Sequence, residues 1–297
     1  MSVSAYKYRI VDVFTQHALE GNALAVFIDA TGMDTARMQA IAREMNLSET
    51  TFVVPATHPD CAMGVRIFTA RKEMEFAGHP TIGTAFVLRD AGLIPRDTRQ
   101  FALQEKVGPV QVRIDAGAAP LIWLRTPPIR QGRVYERPDC ARALGLEVAD
   151  LLEAPPQQLS AGNPTIFVPL RNREAVDRAW LDSAGMTILK GADAEPACVF
   201  VFTPTAQGAY SRMFAPEYGV VEDPATGSST GPLAAFMIRH GMVSGASGTG
   251  FVSEQGTRMG RRSFLHVHIL GADGKDGIEV GGHVVPVATA TLTLEDR

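Results

Sequence analysis

Two phrases in this chain share a layout: Glu75-Phe76-Ala77-Gly78-His79-Pro80-Thr81-Ile82-Gly83 and Glu222-Asp223-Pro224-Ala225-Thr226-Gly227-Ser228-Ser229-Thr230-Gly231. Each begins with an acidic residue, passes through glycine and hydroxyl residues, and runs into an apolar stretch. Those stretches end in Phe86-Val87-Leu88 and in Phe236-Met237-Ile238. Upstream of the phrases stand Arg66-Ile67-Phe68 and Arg212-Met213-Phe214. The two arginines, and likewise Pro80 and Pro224, lie roughly 145 residues apart, about half the chain, which signals duplication of a whole domain rather than a stack of short repeats. A fainter echo sets 47–53 against 159–168. A duplicated chain of 297 residues predicts two domains, each large enough for its own core.

Runs rich in β-branched and aromatic residues predict strands at 6–14, 22–28, 50–54, 64–69, 110–114 and 121–124 in the first half. In the second half they fall at 165–170, 198–203, 265–270, 278–280 and 284–294. Met38, Ile41, Ala42 and Met45 fall at helical spacing, and Asp34 is placed to cap a helix over 34–46. Two further helices, 80–91 and 228–240, are apolar around most of their circumference and are expected to be buried. Pro80 suits a first turn, where a missing N–H costs nothing, and His79 is placed at the cap. Buried helices with strands around them give the expected fold class. It is α+β, with two similar domains, each a β-barrel-like sheet wrapped around a central helix. Arg125-Thr126-Pro127-Pro128 marks the crossover. The domains are then 1–125 and 126–288, with the terminal strand 289–297 a candidate to complete the first.

A net charge of −4 offers no basic footprint for nucleic acid. The sequence has no apolar run of about 20 residues for a membrane and no apolar signal core near its start, so the expected location is cytoplasmic. Cys61, Cys140 and Cys198 form neither a disulfide framework nor a metal cluster. His266-x-His268 lacks a third ligand at telling spacing, so no metal is expected.

Helix N-termini carry unsatisfied N–H groups and the positive end of the helix dipole, which together take up small anions. If both central helices begin at a shared cleft, Gly227, Ser228, Ser229 and Thr230 supply donors on one side and Gly78, His79 and Thr81 on the other. A small carboxylic acid fits such a site. Three residues can titrate or relay a proton. Glu49 opens a strand at a rim position, where partial desolvation raises a carboxyl toward working pH; the alternative is a solvated strand-edge glutamate. His79, at a helix N-terminus, is expected to be neutral or a plain cap. Asp223 either orients His79, acts as a second carboxylate, or shapes its turn.

These motifs resemble the PhzF family of phenazine-biosynthesis-like isomerases, within the diaminopimelate epimerase fold superfamily. The resemblance runs from Phe14 and Gly21-Asn22-Ala23-Leu24-Ala25-Val26 through Glu44-Met45-Asn46-Leu47-Ser48-Glu49-Thr50-Thr51-Phe52 to the two phrases above. It implies two similar domains related by a pseudo-twofold, a site between them, a homodimer, and proton transfer without a cofactor. Matched position by position, it implies Glu49 as main acid/base, with His79, Asp223 and Ser228 as further catalytic groups. Asn22, Gly78, Thr81, Gly227, Ser229 and Thr230 are then substrate-binding. The family's best-known reaction isomerises trans-2,3-dihydro-3-hydroxyanthranilate. Epimerases of the superfamily place two cysteines in these loops, whereas here Gly78-His79 and Gly227-Ser228 stand there. The alternatives are a racemase with non-thiol bases, such as Glu49 with Asp223, and a non-catalytic binder of a small acid.

Overall fold

The computed structural model describes residues 3–190 and 197–295. It divides into two compact units, one comprising the residues up to Arg125 with those from Gly281 on, the other Thr126–Val280.

In the first unit β1 (Val3–Val13) and β2 (Asn22–Phe27) form an antiparallel pair with Val13 opposite Asn22. The approach to β2 requires Gly21, whose φ is 67° and whose missing Cβ would lie 2.3 Å from the Val13 carbonyl oxygen. Helix α1 (Thr35–Met45) follows; Asp34 caps it by accepting from the Arg37 N–H at 2.7 Å, and Met38, Ile41 and Ala42 are buried. This crossover returns the chain as β3 (Glu49–Val54), parallel to β2, since parallel neighbours need a long connection between them. β4 (Cys61–Phe68) runs antiparallel to β3, and the short β5 (Glu73–Met74) pairs with its end. Helix α2 (Gly78–Asp90) then enters the unit. β6 (Gln100–Glu105) lies parallel to β4, and β7 (Gly108–Ile114) and β8 (Ile122–Arg125) continue as an antiparallel meander.

The second unit repeats this plan with insertions. It contains β9 (Arg130–Val134), α3 (Arg137–Ala143), β10 (Gln157–Ser160), β11 (Pro164–Pro169), α4 (Arg173–Arg178) and α5 (Ser183–Lys190). Then come β12 (Cys198–Thr205), β13 (Gly208–Ala215), β14 (Val220–Asp223), α6 (Gly227–Arg239), β15 (Gly250–Gln255), β16 (Ser263–Leu270) and β17 (Gly277–Gly282). As in the first unit, an antiparallel pair (β10, β11) is followed by a parallel strand (β12), an antiparallel one (β13) and a second parallel one (β15). The last strand, β18 (Val284–Glu295), pairs along the whole of β1, from Val13 opposite Val284 to Val3 opposite Glu295. The second unit thus ends at Val280, short of the boundary expected at 288.

Each sheet wraps its central helix. α2 packs on β1, β2, β3, β8 and β18, and α6 on β10, β11 and β16. The approach of α2 is close at Gly83, where a Cβ would come within 2.6 Å of the Leu24 side chain. Alternation along β12 serves two cores at once. Phe200 and Phe202 join Leu233 and Phe236 of α6, while Val199 and Val201 face the cluster of Cys140, Val176 and Met186 from α3, α4 and α5.

The ladders correct two alignments read from the sequence. Arg66 ion-pairs with Glu73 as Arg212 does with Glu222, so those positions correspond. The helix caps Ala77 and Thr226 then correspond as well, with Gly78 matching Gly227 and Thr81 matching Thr230. Pro80 and Pro224 do not match: one lies inside a first helical turn, the other before a helix. The echo of 47–53 in 159–168 is also a misalignment. β3 corresponds to β12, and 159–168 belongs to the pair equivalent to β1 and β2.

Candidate active site

Parallel pairing of β2 with β3 brings two strand starts together, and the first turn of α2 arrives beside them. These three elements carry Asn22, Glu49 and His79. Glu49 opens β3, its side chain 15% exposed; Asn22 and His79 are buried. Asn22 Nδ2 lies 3.2 Å from His79 Nδ1. His79 Nε2 lies 3.4 Å from Glu49 Oε2, a close approach without hydrogen-bond alignment. The structure corrects one placement. His79 is not the cap of α2 but its second residue; the cap is Ala77, and no side chain caps the helix.

Burial drives the His79 imidazole down to about 3, opposed only in part by its hydrogen bond to the Ala23 backbone. The ring is therefore neutral at physiological pH, and its contact with Glu49 is a polar one rather than an ion pair. A neutral imidazole offers one N–H and one bare nitrogen. Beside a partly exposed carboxyl, that is an arrangement able to take, hold and return a proton.

The hydroxyl of Thr81, expected to bind substrate, turns inward instead. Its Oγ1 lies 2.8 Å from the Ala77 carbonyl oxygen and against Glu105, a buried carboxyl, with its one proton shared between them. Gly78 begins the helix itself. Thr81 and Ala77 belong to the first sequence phrase, but no sequence motif flagged Glu105.

In the second unit the first turn of α6 begins at Gly227, with Thr226 as cap. Asp223 accepts from the Thr226 hydroxyl at 2.5 Å, so it braces its own turn. Ser229 shares a hydrogen bond with Thr165 at 2.9 Å, and Thr230 donates to the Thr226 carbonyl at 3.0 Å. Both hydroxyls are committed to the unit's interior. Ser228 is 8% exposed, and the N–H groups of Gly227 and Ser228 precede the first intrahelical bonds, the kind of donor a carboxylate takes. Gln255, also unmarked in the sequence, holds this turn through three hydrogen bonds.

His268 pairs with Glu279 at 3.2 Å. Among the described residues no group of three or more His, Cys, Asp or Glu side chains is gathered as metal ligands are. No helix among them is long and apolar enough to cross a membrane.

The phenazine biosynthesis-like protein family, PhzC-PhzF, matches residues 11–290. The chain belongs to this family. An uncharacterised isomerase of Mesorhizobium japonicum is 35% identical over 97% of this chain and 98% of its own length. The trans-2,3-dihydro-3-hydroxyanthranilate isomerase of Pseudomonas chlororaphis is 32% identical over 97% of this chain and all of its own. Among solved structures, a protein from Pseudomonas aeruginosa described as a predicted epimerase superposes with a TM-score of 0.82 at 33% identity, covering 97% of this chain and 99% of that one. A hydroxyproline epimerase from Agrobacterium vitis, at TM-score 0.69 and 14% identity over 98% of this chain and 93% of that one, shares the fold. The expected fold class thus holds for this PhzC-PhzF chain: α+β, two similar units, each a sheet around a central helix.

Proposed function

We propose that this chain is an isomerase that moves a proton on a small carboxylate substrate by general acid/base catalysis, with Glu49 as the proton carrier. The observation that carries the reading is the pairing of Glu49 with a neutral, buried imidazole at 3.4 Å. Glu49 takes a proton from one carbon and returns it to another; His79, held by Asn22 and Ala23, stays neutral beside it and relays or steadies that proton. Ser228 and the N–H groups at the start of α6 hold the substrate carboxylate, and Asp223 shapes the turn that presents them. The relatives named as isomerases of trans-2,3-dihydro-3-hydroxyanthranilate support a cyclic amino carboxylate of that kind as substrate.

The test is deuterium uptake at carbon in D₂O, followed by mass spectrometry over a panel of small cyclic and amino carboxylates. Uptake into one compound with a shifted double bond supports the reading and names the substrate class. Uptake with inversion of a single-enantiomer amino acid and no bond shift replaces it with a racemase. Tight binding of a panel member without any exchange replaces it with a binder.

A further inference from the structure

The two units hold the first turns of their central helices with different chemistry at one equivalent position. Gly64 faces Gln104 across β4 and β6, and Tyr210 faces Glu254 across β13 and β15. With Arg66 and Arg212 as fixed points two residues further along, the next residues, Glu105 and Gln255, correspond. Gln255 uses both halves of its amide. Its Oε1 accepts from the Thr226 N–H at 3.1 Å, and its Nε2 donates to the Asp223 carbonyl at 2.8 Å and to the Thr226 hydroxyl at 3.0 Å.

Glu105 is 4% exposed and accepts from the Ala77 N–H and the Thr81 hydroxyl, so it occupies the same bracket around a helix start. Its Oε2 is buried with no hydrogen-bond partner. A carboxylate can only accept, whereas a carboxylic acid carries an O–H where an amide carries its NH₂. The charged groups on neighbouring elements are already matched to one another: Arg66 of β4 with Glu73 of β5, and Lys106 with Glu75.

We propose that Glu105 is a positioning residue that works as an un-ionised carboxylic acid, clipping the first turn of α2 at Ala77 and Thr81 as Gln255 clips that of α6, and so keeping His79 beside Asn22 and Glu49. Its consequence for activity rests on the acid/base reading of Glu49 and His79; its consequence for the fold does not. Burial moves the Glu105 carboxyl up to about 8, with the Thr81 hydroxyl and Ala77 N–H pulling it partly back. The folded chain therefore keeps a proton that the unfolded chain releases above its ordinary value of 4.5. Stability attributable to Glu105 is fully present below that value, declines as pH rises from it to about 8, and is level beyond. Ionisation places a charge on this buried carboxyl, whose Oε2 has no partner to take it up, so turnover falls on the alkaline side.

The experiment compares wild type, Glu105→Gln and Glu105→Ala for thermal midpoint from pH 5 to 9, for the His79 imidazole NMR signals, and for deuterium exchange. Glu105→Gln is expected to fold, to flatten the pH dependence of the midpoint, to leave the His79 signals in place and to remove the alkaline limb of kcat. Glu105→Ala is expected to shift the His79 signals and lower kcat about tenfold or more, with KM changed less, the loss of one buried bracket being worth at least about 1.4 kcal/mol. Retention of the full wild-type pH dependence by Glu105→Gln overturns the proposal, as does a Glu105→Gln that behaves like Glu105→Ala. A Glu105→Ala that does not fold leaves the decision with Glu105→Gln. Absence of exchange in wild type overturns the acid/base reading alone, and the midpoint and His79 signals then decide the role of Glu105.

Discussion

The first turns of α2 and α6 are built on the same frame and have diverged in their chemistry. In both, a bidentate arginine–glutamate pair stands on the strands before the turn, and a side chain from a parallel strand brackets the cap. Ladder counting sets Asn22 against Asn163, Glu49 against Cys198 and His79 against Ser228. On the proposed function, the first unit thus holds the groups that exchange protons, and the second the groups that donate hydrogen bonds. The frame is what the duplication preserved. The residues exposed to different demands, two positions into the helix and at the start of the third strand of each plan, are the ones that changed.

The sharpest way to break this comparison is to remove the proton carrier. Glu49→Gln keeps size and polarity, so the fold should persist while kcat falls about 100- to 10,000-fold, the usual range for a general acid/base. Steady-state kinetics on the substrate found by deuterium uptake checks it, and an unchanged kcat ends the assignment.

The two arginine pairs sharpen it from the side of the frame. Arg212 and Glu222 are nearly buried, with side-chain exposures of 5% and 11%, and Arg212 Nη1 also faces the carbonyls of Val176, Asp177 and Ala179. Arg66 and Glu73 are 28% and 23% exposed. Breaking a buried pair strands a charge and costs about 3–5 kcal/mol, whereas a half-exposed pair is worth about 1 kcal/mol. Denaturant unfolding of Arg212→Ala and Arg66→Ala should show that order. Equal losses would mean that burial does not distinguish the two frames.

Ser228→Ala tests the donor role of the second unit. Loss of one hydrogen bond to a carboxylate should raise KM about tenfold, with kcat changed less, since such a bond contributes about 1.5–3 kcal/mol and tenfold is 1.4. A fall in kcat with KM unchanged would move Ser228 from binding into the chemical step.

What the sequence made legible was whatever local pattern or repetition carries. The helix at Asp34, the two all-round apolar helices and most long strands are of that kind, because periodicity and capping are short-range. The short helices α3, α4 and α5 were not read, having six to eight residues each and too few turns to show a period. The proline match misled because proline is tolerated both inside a first turn and just before one, for separate reasons. Glu49, His79 and Asn22 stood out as motif residues, yet their convergence depends on the parallel pairing of β2 with β3. Glu105 and Gln255 gave no signal at all. Each is a single polar residue ending a strand, and its meaning comes from a ladder that carries that strand end under a helix start far away in sequence.

The smallest expected effect tests the most pointed contrast. Cys198 stands where the first unit has Glu49, is 6% exposed, and forms no disulfide. Its side chain lies in the apolar cluster of Phe167, Phe200 and Met213, where a thiol behaves as a small apolar group. Cys198→Ala removes one atom from that cluster, so stability should fall by about 1 kcal/mol and kcat should stay at the wild-type value. Thermal unfolding and initial rates at saturating substrate measure both. A large drop in kcat with an intact fold would place chemistry on the thiol, and the division of labour between a proton-exchanging unit and a donor unit would then fail at the very position that defines it.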